Sequence, residues 1–248
     1  HSLPSFTTYV NKVFGLREAV RRLEDARQHP DISPPTVFLA LFHAFVFRLR
    51  SFKELEADLA QPQLRQSIGA ERAFGDDTLR YSLCGFALEP LEQMLVGINC
   101  QLKRNKAFDT GRVQGRIVAA LDGIEVLSSF SRCCQFCLQR RVVCKDPQGH
   151  PLEQLQYYHR AVGCQIVSAP VKPFLGIEWL RPGEGEDTAA LRLLRRLYEL
   201  YGSRFFDILL LDSLYAQTPV LKLAQEIDWQ VVITLKQENR EVYQNAMG

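Results

Sequence analysis

Apolar residues recur at helical spacing through the first hundred positions and then give way to short unbroken apolar runs. Leu16 to Arg27 is amphipathic and charged, and stops before His29-Pro30. Pro34-Pro35-Thr36 opens an apolar stretch, Val37 to Arg50, that reads as a buried helix. Phe52 to Leu59 places Leu55 and Leu59 four apart, with Pro62 marking the end. Asp76-Asp77-Thr78 has the short polar side chains that cap free amides at a helix start. Pro90 to Lys103 aligns Leu91, Leu95, Ile98 and Leu102 on one face. The pattern predicts a helical domain over 1–108, for DNA binding or dimerisation.

From residue 109 the period changes. Ile117 to Leu121 is a continuous apolar run, as in a strand covered on both faces. Tyr157 to Ser168 and Phe174 to Leu180 are rich in aromatic and β-branched residues and predict two more strands. Asp187-Thr188 caps a helix through Leu191, Leu194, Leu197 and Tyr201, ended by Gly202. Ile208 to Leu211 is a fourth strand, Thr218-Pro219 starts a helix to about Ile227, and Val231 to Leu235 is a fifth strand. Three strands before the first helix predict an α/β domain over 109–248, a mixed sheet flanked by helices.

Composition narrows the class. Of 248 residues, 46% are hydrophobic and 23% charged, an ordinary globular balance. No run reaches the roughly 18–20 apolar residues of a membrane span. The start, His1-Ser2-Leu3-Pro4, lacks both an initiator Met and a signal-peptide pattern, so the chain reads as a fragment of a cytoplasmic protein. Net charge is +2, with residues 1–116 holding 16 Lys and Arg against 13 Asp and Glu. That slight basic excess suits nucleic acid bound through patches. Lys103, Arg104, Lys106, Arg112 and Arg116 form a basic stretch leading into the first strand, able to neutralise phosphates or to lie solvated. Arg192, Arg195 and Arg196 share a helix face, exposed or facing DNA.

The chemistry concentrates where two strands end. Leu121 is followed by Asp122-Gly123, and Leu211 by Asp212-Ser213. Strands of such a sheet present their carboxyl ends to a shared crevice. Two carboxylates there can hold Mg²⁺ or Mn²⁺, which take oxygen ligands. The plainer alternative is that each Asp ends its strand by bonding loop backbone. Asp212 lies six residues before Thr218, the better cap, so neither Asp is an obvious helix cap.

Asp122-Gly123-Ile124-Glu125 with Ser128-Ser129, then Gly183-Glu184-Gly185-Glu186-Asp187 with Ala189-Ala190 and Leu193-Leu194, then Asp212-Ser213-Leu214-Tyr215-Ala216, then Val232 to Lys236, follow one another in order. Together they resemble bacterial insertion-sequence transposases of the DDE class over about residues 35–245. The resemblance implies an RNase H-like core, Asp122 and Asp212 as catalytic metal ligands, DNA ends and target as partners, and a homodimer in the active complex. It also implies a third acidic ligand on a later helix, expected to be missing from this chain. Glu125 lies three positions after Asp122, on the opposite strand face unless Gly123 turns the chain. Glu178, Glu238 and Glu241 are the other acids weighed, and none is favoured.

Seven Cys without a secretory signal argue against a disulfide framework. Cys134 and Cys137 form a CxxC, with Cys133 adjacent, Cys144 seven residues on, and His150, His159 and Cys164 downstream. Cys134, Cys137, Cys144 and His159 would make a structural Cys₃His zinc site stapling the loop between the first two strands. Alternatively the thiols pack as small hydrophobes. Two rivals to a transposase remain: a non-catalytic DNA-binding or zinc-stapled interaction protein of the same fold, and another RNase H-like nuclease.

Overall fold

The computed structural model describes residues 3–234 of the chain. Their contacts divide it into two compact units, with the division after Gln101 rather than after Phe108. The reason is local. Lys103 donates to the carbonyl of Phe205 at 3.0 Å, and buried Phe108 meets the Phe205 ring edge-on at 6.2 Å. Residues 102–108 therefore belong to the second unit.

The first unit is helical: α1 (Leu3–Phe14), α2 (Leu16–Val20), α3 (Pro34–Phe47), α4 (Phe52–Leu59), α5 (Pro62–Ile68), α6 (Asp76–Gly85) and most of α7 (Leu88–Arg104). Ser33 caps α3 and Ser51 caps α4, each accepting from an amide three residues on. Val37, Ala40, Leu55, Leu59, Leu64, Ile68 and Leu79 close one core; Leu16, Val20 and Leu23 form a second against Phe38 and Phe42. Two expectations need correction and a third is refined. The helix from Leu16 stops at Val20, because Asp25 is buried and turns the chain to pair with Arg27 at 2.6 Å while accepting from Ser82 at 2.5 Å. The helix does start at Asp76, but Gly75 holds the cap position without a side-chain bond, and Asp76 and Asp77 sit in the first turn at the positive helix end. The α3 helix is buried only at its front: Phe45 is 81% exposed. No single described helix is long and apolar enough to cross a membrane.

The second unit is a mixed sheet flanked by helices. Its elements are β1 (Val118–Ser129), β2 (Leu138–Lys145), β3 (Pro151–Ile166), β4 (Phe174–Trp179), α8 (Glu186–Tyr201), β5 (Ile208–Asp212), α9 (Thr218–Ile227) and β6 (Gln230–Thr234). Strand β1 is central, antiparallel to β3 on one side and parallel to β5 on the other. Strand β6 continues the parallel half beside β5. The sixteen residues of β3 take two partners end to end on their far side: β2 along Pro151 to Tyr158, and β4 along Ala161 to Gln165.

Strand β2 has no counterpart in the apolar pattern. Its sequence, Leu138-Gln139-Arg140-Arg141-Val142-Val143-Cys144-Lys145, is too polar for a core strand, and its burial pattern shows that it covers none. Backbone pairing with β3 makes it a strand all the same. The link between the first two strands of the core sheet is thus a hairpin arm rather than a loop.

Helix α8 begins one residue before the expected Asp187 cap, with Gly185 at the cap position and Gly202 in positive φ at its end. Its stripe Ala189, Ala190, Leu193, Leu194 and Leu197 is buried against the sheet. We predict that Leu193→Ala, which empties a fully buried position, costs about 2–5 kcal/mol of unfolding free energy. Urea denaturation of the chain checks it.

Candidate functional site

The parallel pairing of β1 with β5 runs Val118 with Ile208, Ala119 with Leu209 and Ala120 with Leu210. The ladder stops there, and Asp122 and Asp212 each lie two residues beyond its last pair. Both residues lie at the carboxyl end of their parallel segment, where such sheets open a crevice. They share parity with Ala120 and Leu210, and hence one face of the sheet.

Each carboxylate makes a local backbone bond. Asp122 Oδ1 accepts from the amide of Gly123 at 2.8 Å, and Asp212 Oδ1 accepts from the amide of Leu214 at 2.6 Å. Asp212 does therefore act as a cap, of the short 3-10 turn Ser213–Tyr215 rather than of α9. Asp122 is exposed, and no cationic side chain pairs with it among the described residues.

Behind the pair stands a partly buried polar cluster that hydrophobic spacing leaves unmarked. Tyr215, fully buried, donates its hydroxyl to Glu186 at 3.0 Å, and Arg160 pairs with Glu186 at 2.5 Å. Burial pushes the Tyr215 hydroxyl's pKa far up, and the negative field of Glu186, Asp122 and Asp212 pushes the same way. Tyr215 therefore stays a neutral donor to Glu186. Gly123 makes room for this arrangement: a Cβ there would collide with the Glu186 carboxylate and crowd the Arg160 guanidinium. A sequence signal does exist for most of the cluster, since Gly123, Glu186 and Tyr215 all lie within the motifs quoted for the transposase resemblance. Arg160 carries none.

The other candidate acids are engaged elsewhere. Glu125 is on the opposite face of β1, because the strand runs unbroken through Gly123. It accepts two bonds of 2.8 Å from Arg140. Glu178 is held by Arg192 at 3.1 Å and Arg196 at 2.7 Å, and Glu184 also binds Arg192. Two of the three arginines placed on one face of α8 are thereby consumed in fastening the helix to β4, while Arg195 is exposed. Glu238 and Glu241 lie outside the described residues, as do Leu235 and Lys236 of the expected fifth strand. Among the described residues, no third carboxylate joins Asp122 and Asp212 in a three-ligand group.

The basic stretch splits. Lys103 is spent on backbone carbonyls of Arg204 and Phe205 and lies over the Phe205 ring. Arg112 binds Asp109 at 2.9 Å and the carbonyl of Gly115 at 3.0 Å, and Arg116 binds Gln230. Arg104 and Lys106 are exposed, as are Arg112 and Arg116.

The cysteine cluster is only partly assembled. Cys134, Cys137 and His159 converge, with donor atoms within 4.8 Å of one another. Cys144 does not join them. It pairs with Leu152 on the arm, six register steps from Leu138 opposite Tyr158, or about 20 Å along the strand.

No family model and no curated protein matches the chain. Two solved structures are similar in fold. One is the Mos1 mariner paired end complex with Mn, at 13% identity and a TM-score of 0.28, covering 84% of this chain and 60% of that one. The other is the Drosophila P element transposase strand transfer complex, at 8% identity and a TM-score of 0.31, covering 94% of this chain and 47% of that one. The chain spans less than two thirds of either. Superpositions this loose locate no residue.

Two outcomes follow from the buried polar groups. Tyr215→Phe removes a bond to a carboxylate and should cost about 1.5–3 kcal/mol in urea denaturation. Glu184 is held below its ordinary pKa of 4.5, chiefly by its hydrogen bond from Arg192. Its contribution is complete above that value and is lost as pH falls through the lower folded value. Glu184→Gln should therefore destabilise the chain at neutral pH, with the gap to the native protein narrowing below about pH 4.5. A pH series of denaturation curves reads this directly.

Proposed function

We propose that the second unit is the metal-dependent core of a DNA transposase, with Asp122 and Asp212 as two of its acidic ligands. The observation that carries the reading is their placement two residues past the end of one parallel ladder, at the carboxyl ends of two adjacent strands. The donor set fits a hard cation: two carboxylates side by side, the first without a competing cationic partner among the described residues, Mg²⁺ and Mn²⁺ both being takers of oxygen. When bound, such ions activate an attacking hydroxyl and stabilise the leaving oxygen at a phosphodiester.

The chain's own residues supply geometry. Backbone bonds from Gly123 and Leu214 fix one oxygen of each Asp. Tyr215, kept protonated, braces Glu186 beneath them without adding charge. The reaction in this reading is hydrolysis at the ends of a mobile element followed by attack of the freed 3′-hydroxyl on target DNA. It brings a third acidic ligand from outside the described residues, DNA held in part by Arg104, Lys106, Arg112 and Arg116, a homodimeric complex, and action in the cytoplasm.

Mn²⁺ binding, followed by water-proton relaxation, tests the centre. Asp122→Asn and Asp212→Asn should each weaken binding at least tenfold, about 1.4 kcal/mol. Unchanged affinity in both variants would overturn the assignment. On DNA carrying element ends, joined strands are expected, and simple cleavage without joining points instead to a nuclease of the same fold.

A further inference from the structure

We propose that Cys134, Cys137 and His159 bind a zinc ion that fastens the hairpin arm to the catalytic sheet, with a fourth coordination position open to solvent. This centre is independent of the metal pair at Asp122 and Asp212, since its residues and its donor chemistry are different.

Distances carry it. A tetrahedral zinc ion with bonds of about 2.3 Å to sulfur and about 2.05 Å to nitrogen separates its sulfurs by about 3.8 Å, and each sulfur from nitrogen by about 3.6 Å. In the chain the two Sγ atoms are 3.7 Å apart, and His159 Nε2 lies 3.4 Å from Cys134 Sγ and 3.3 Å from Cys137 Sγ. All three edges match a coordination triangle to within about 0.3 Å. The sulfurs are too far apart for the bond of about 2.05 Å that a disulfide requires.

The surroundings suit thiolates. Residues 134–137 close a tight turn in which the Cys137 amide donates to the Cys134 carbonyl at 3.1 Å. Within it the amide of Phe136 points at Cys134 Sγ at 3.4 Å, and the amide of Cys134 at Cys137 Sγ at 3.2 Å. Amides directed at sulfur stabilise its negative charge and orient it as a ligand. Trp179 meets the His159 ring edge-on, with centroids 6.1 Å apart, and so limits its rotation. On binding, the two thiols lose their protons to solvent, leaving two thiolates and a neutral imidazole around the dication.

The position gives the ion a purpose. His159 pairs with Leu127 where the β1–β3 register shifts. Pairing there is irregular, so the connection from β1 to β2 lacks a continuous ladder to hold it. The ion would tie that connection directly to β3. It would also fix one wall of an open groove lined by Cys137, Tyr158, Arg160, Glu186 and Leu214.

The test uses the full 248-residue chain, purified under reducing conditions. Atomic emission should find about one zinc per chain, and Co²⁺ exchanged into the site should give the visible bands of a tetrahedral ion with thiolate charge transfer. Cys134→Ser and Cys137→Ser should each lower metal content at least tenfold. Cys133→Ser and Cys144→Ser should retain it. Loss of metal in either of those two overturns the ligand set. Native protein that neither carries zinc nor takes up Co²⁺ overturns the site, as does a native thiol count two short, which would mean a Cys134–Cys137 disulfide. Circular dichroism of each variant shows whether lost metal reflects a lost ligand or a lost fold.

Discussion

Strand β1 must satisfy two neighbours of opposite sense, and the arrangement of the second unit depends on that. Towards β5 its amides and carbonyls form a parallel ladder of three residue pairs; towards β3 they form a long antiparallel one. The parallel ladder stops at Ala120 with Leu210, while the antiparallel ladder runs on to Ser129. At that divergence β5 turns away through the Ser213–Tyr215 turn, and β1 continues outward beyond its parallel partner. The two strand ends separate there, with Asp122 and Asp212 just beyond the last paired residues.

Near those strand ends, largely buried glutamates are held by partly exposed arginines. Glu186, Glu184 and Glu178 are each satisfied by guanidinium groups, and Glu186 also by the Tyr215 hydroxyl. Buried ion pairs add little net stability over apolar packing, but removing one partner leaves an uncompensated charge. The cluster is better understood as a positioning device. It sets the start of α8 against β1 at Gly123, the one place on that strand where the absence of a Cβ allows a side chain so near the backbone. The same electrostatics keep Tyr215 neutral, so it binds Glu186 without adding a charge of its own.

Legibility in the sequence varied with the physical origin of each feature. Runs such as Ile117 to Leu121 and Ile208 to Leu211 declare buried strands because burial on both faces leaves no polar alternation, and the stripe of α8 declares its buried face by spacing. Strand β2 was illegible because its pairing uses backbone bonds alone and its side chains serve no core. The break after Val20 was illegible for the opposite reason: a single buried Asp25, remote in sequence from its partner Ser82, overrides helical propensity. The roles of Lys103, Arg192 and Arg196 look like solvated charge in one dimension and are structural in three. Cys144 falls close to its neighbours in sequence, whereas an extended arm moves a residue about 3.3 Å per position.

The same extension constrains the arm itself. A two-stranded projection with little buried side-chain area has few means of holding its own orientation, because isolated hairpins are marginal in water. Here the arm carries Arg140, which reaches across β3 to Glu125 on β1 with two bonds and lies over the Tyr158 ring at 4.5 Å. Exposed contacts of this kind are weak and screened by salt. A coordinate cross-link at Cys134, Cys137 and His159 acts at the root of the arm, where a small angular freedom would become a large displacement at the tip. Its proper role is therefore stiffness rather than folding energy. A core sheet stabilised by α8 would fold without it, whereas the groove beside Arg160 and Glu186 would lose one defined wall.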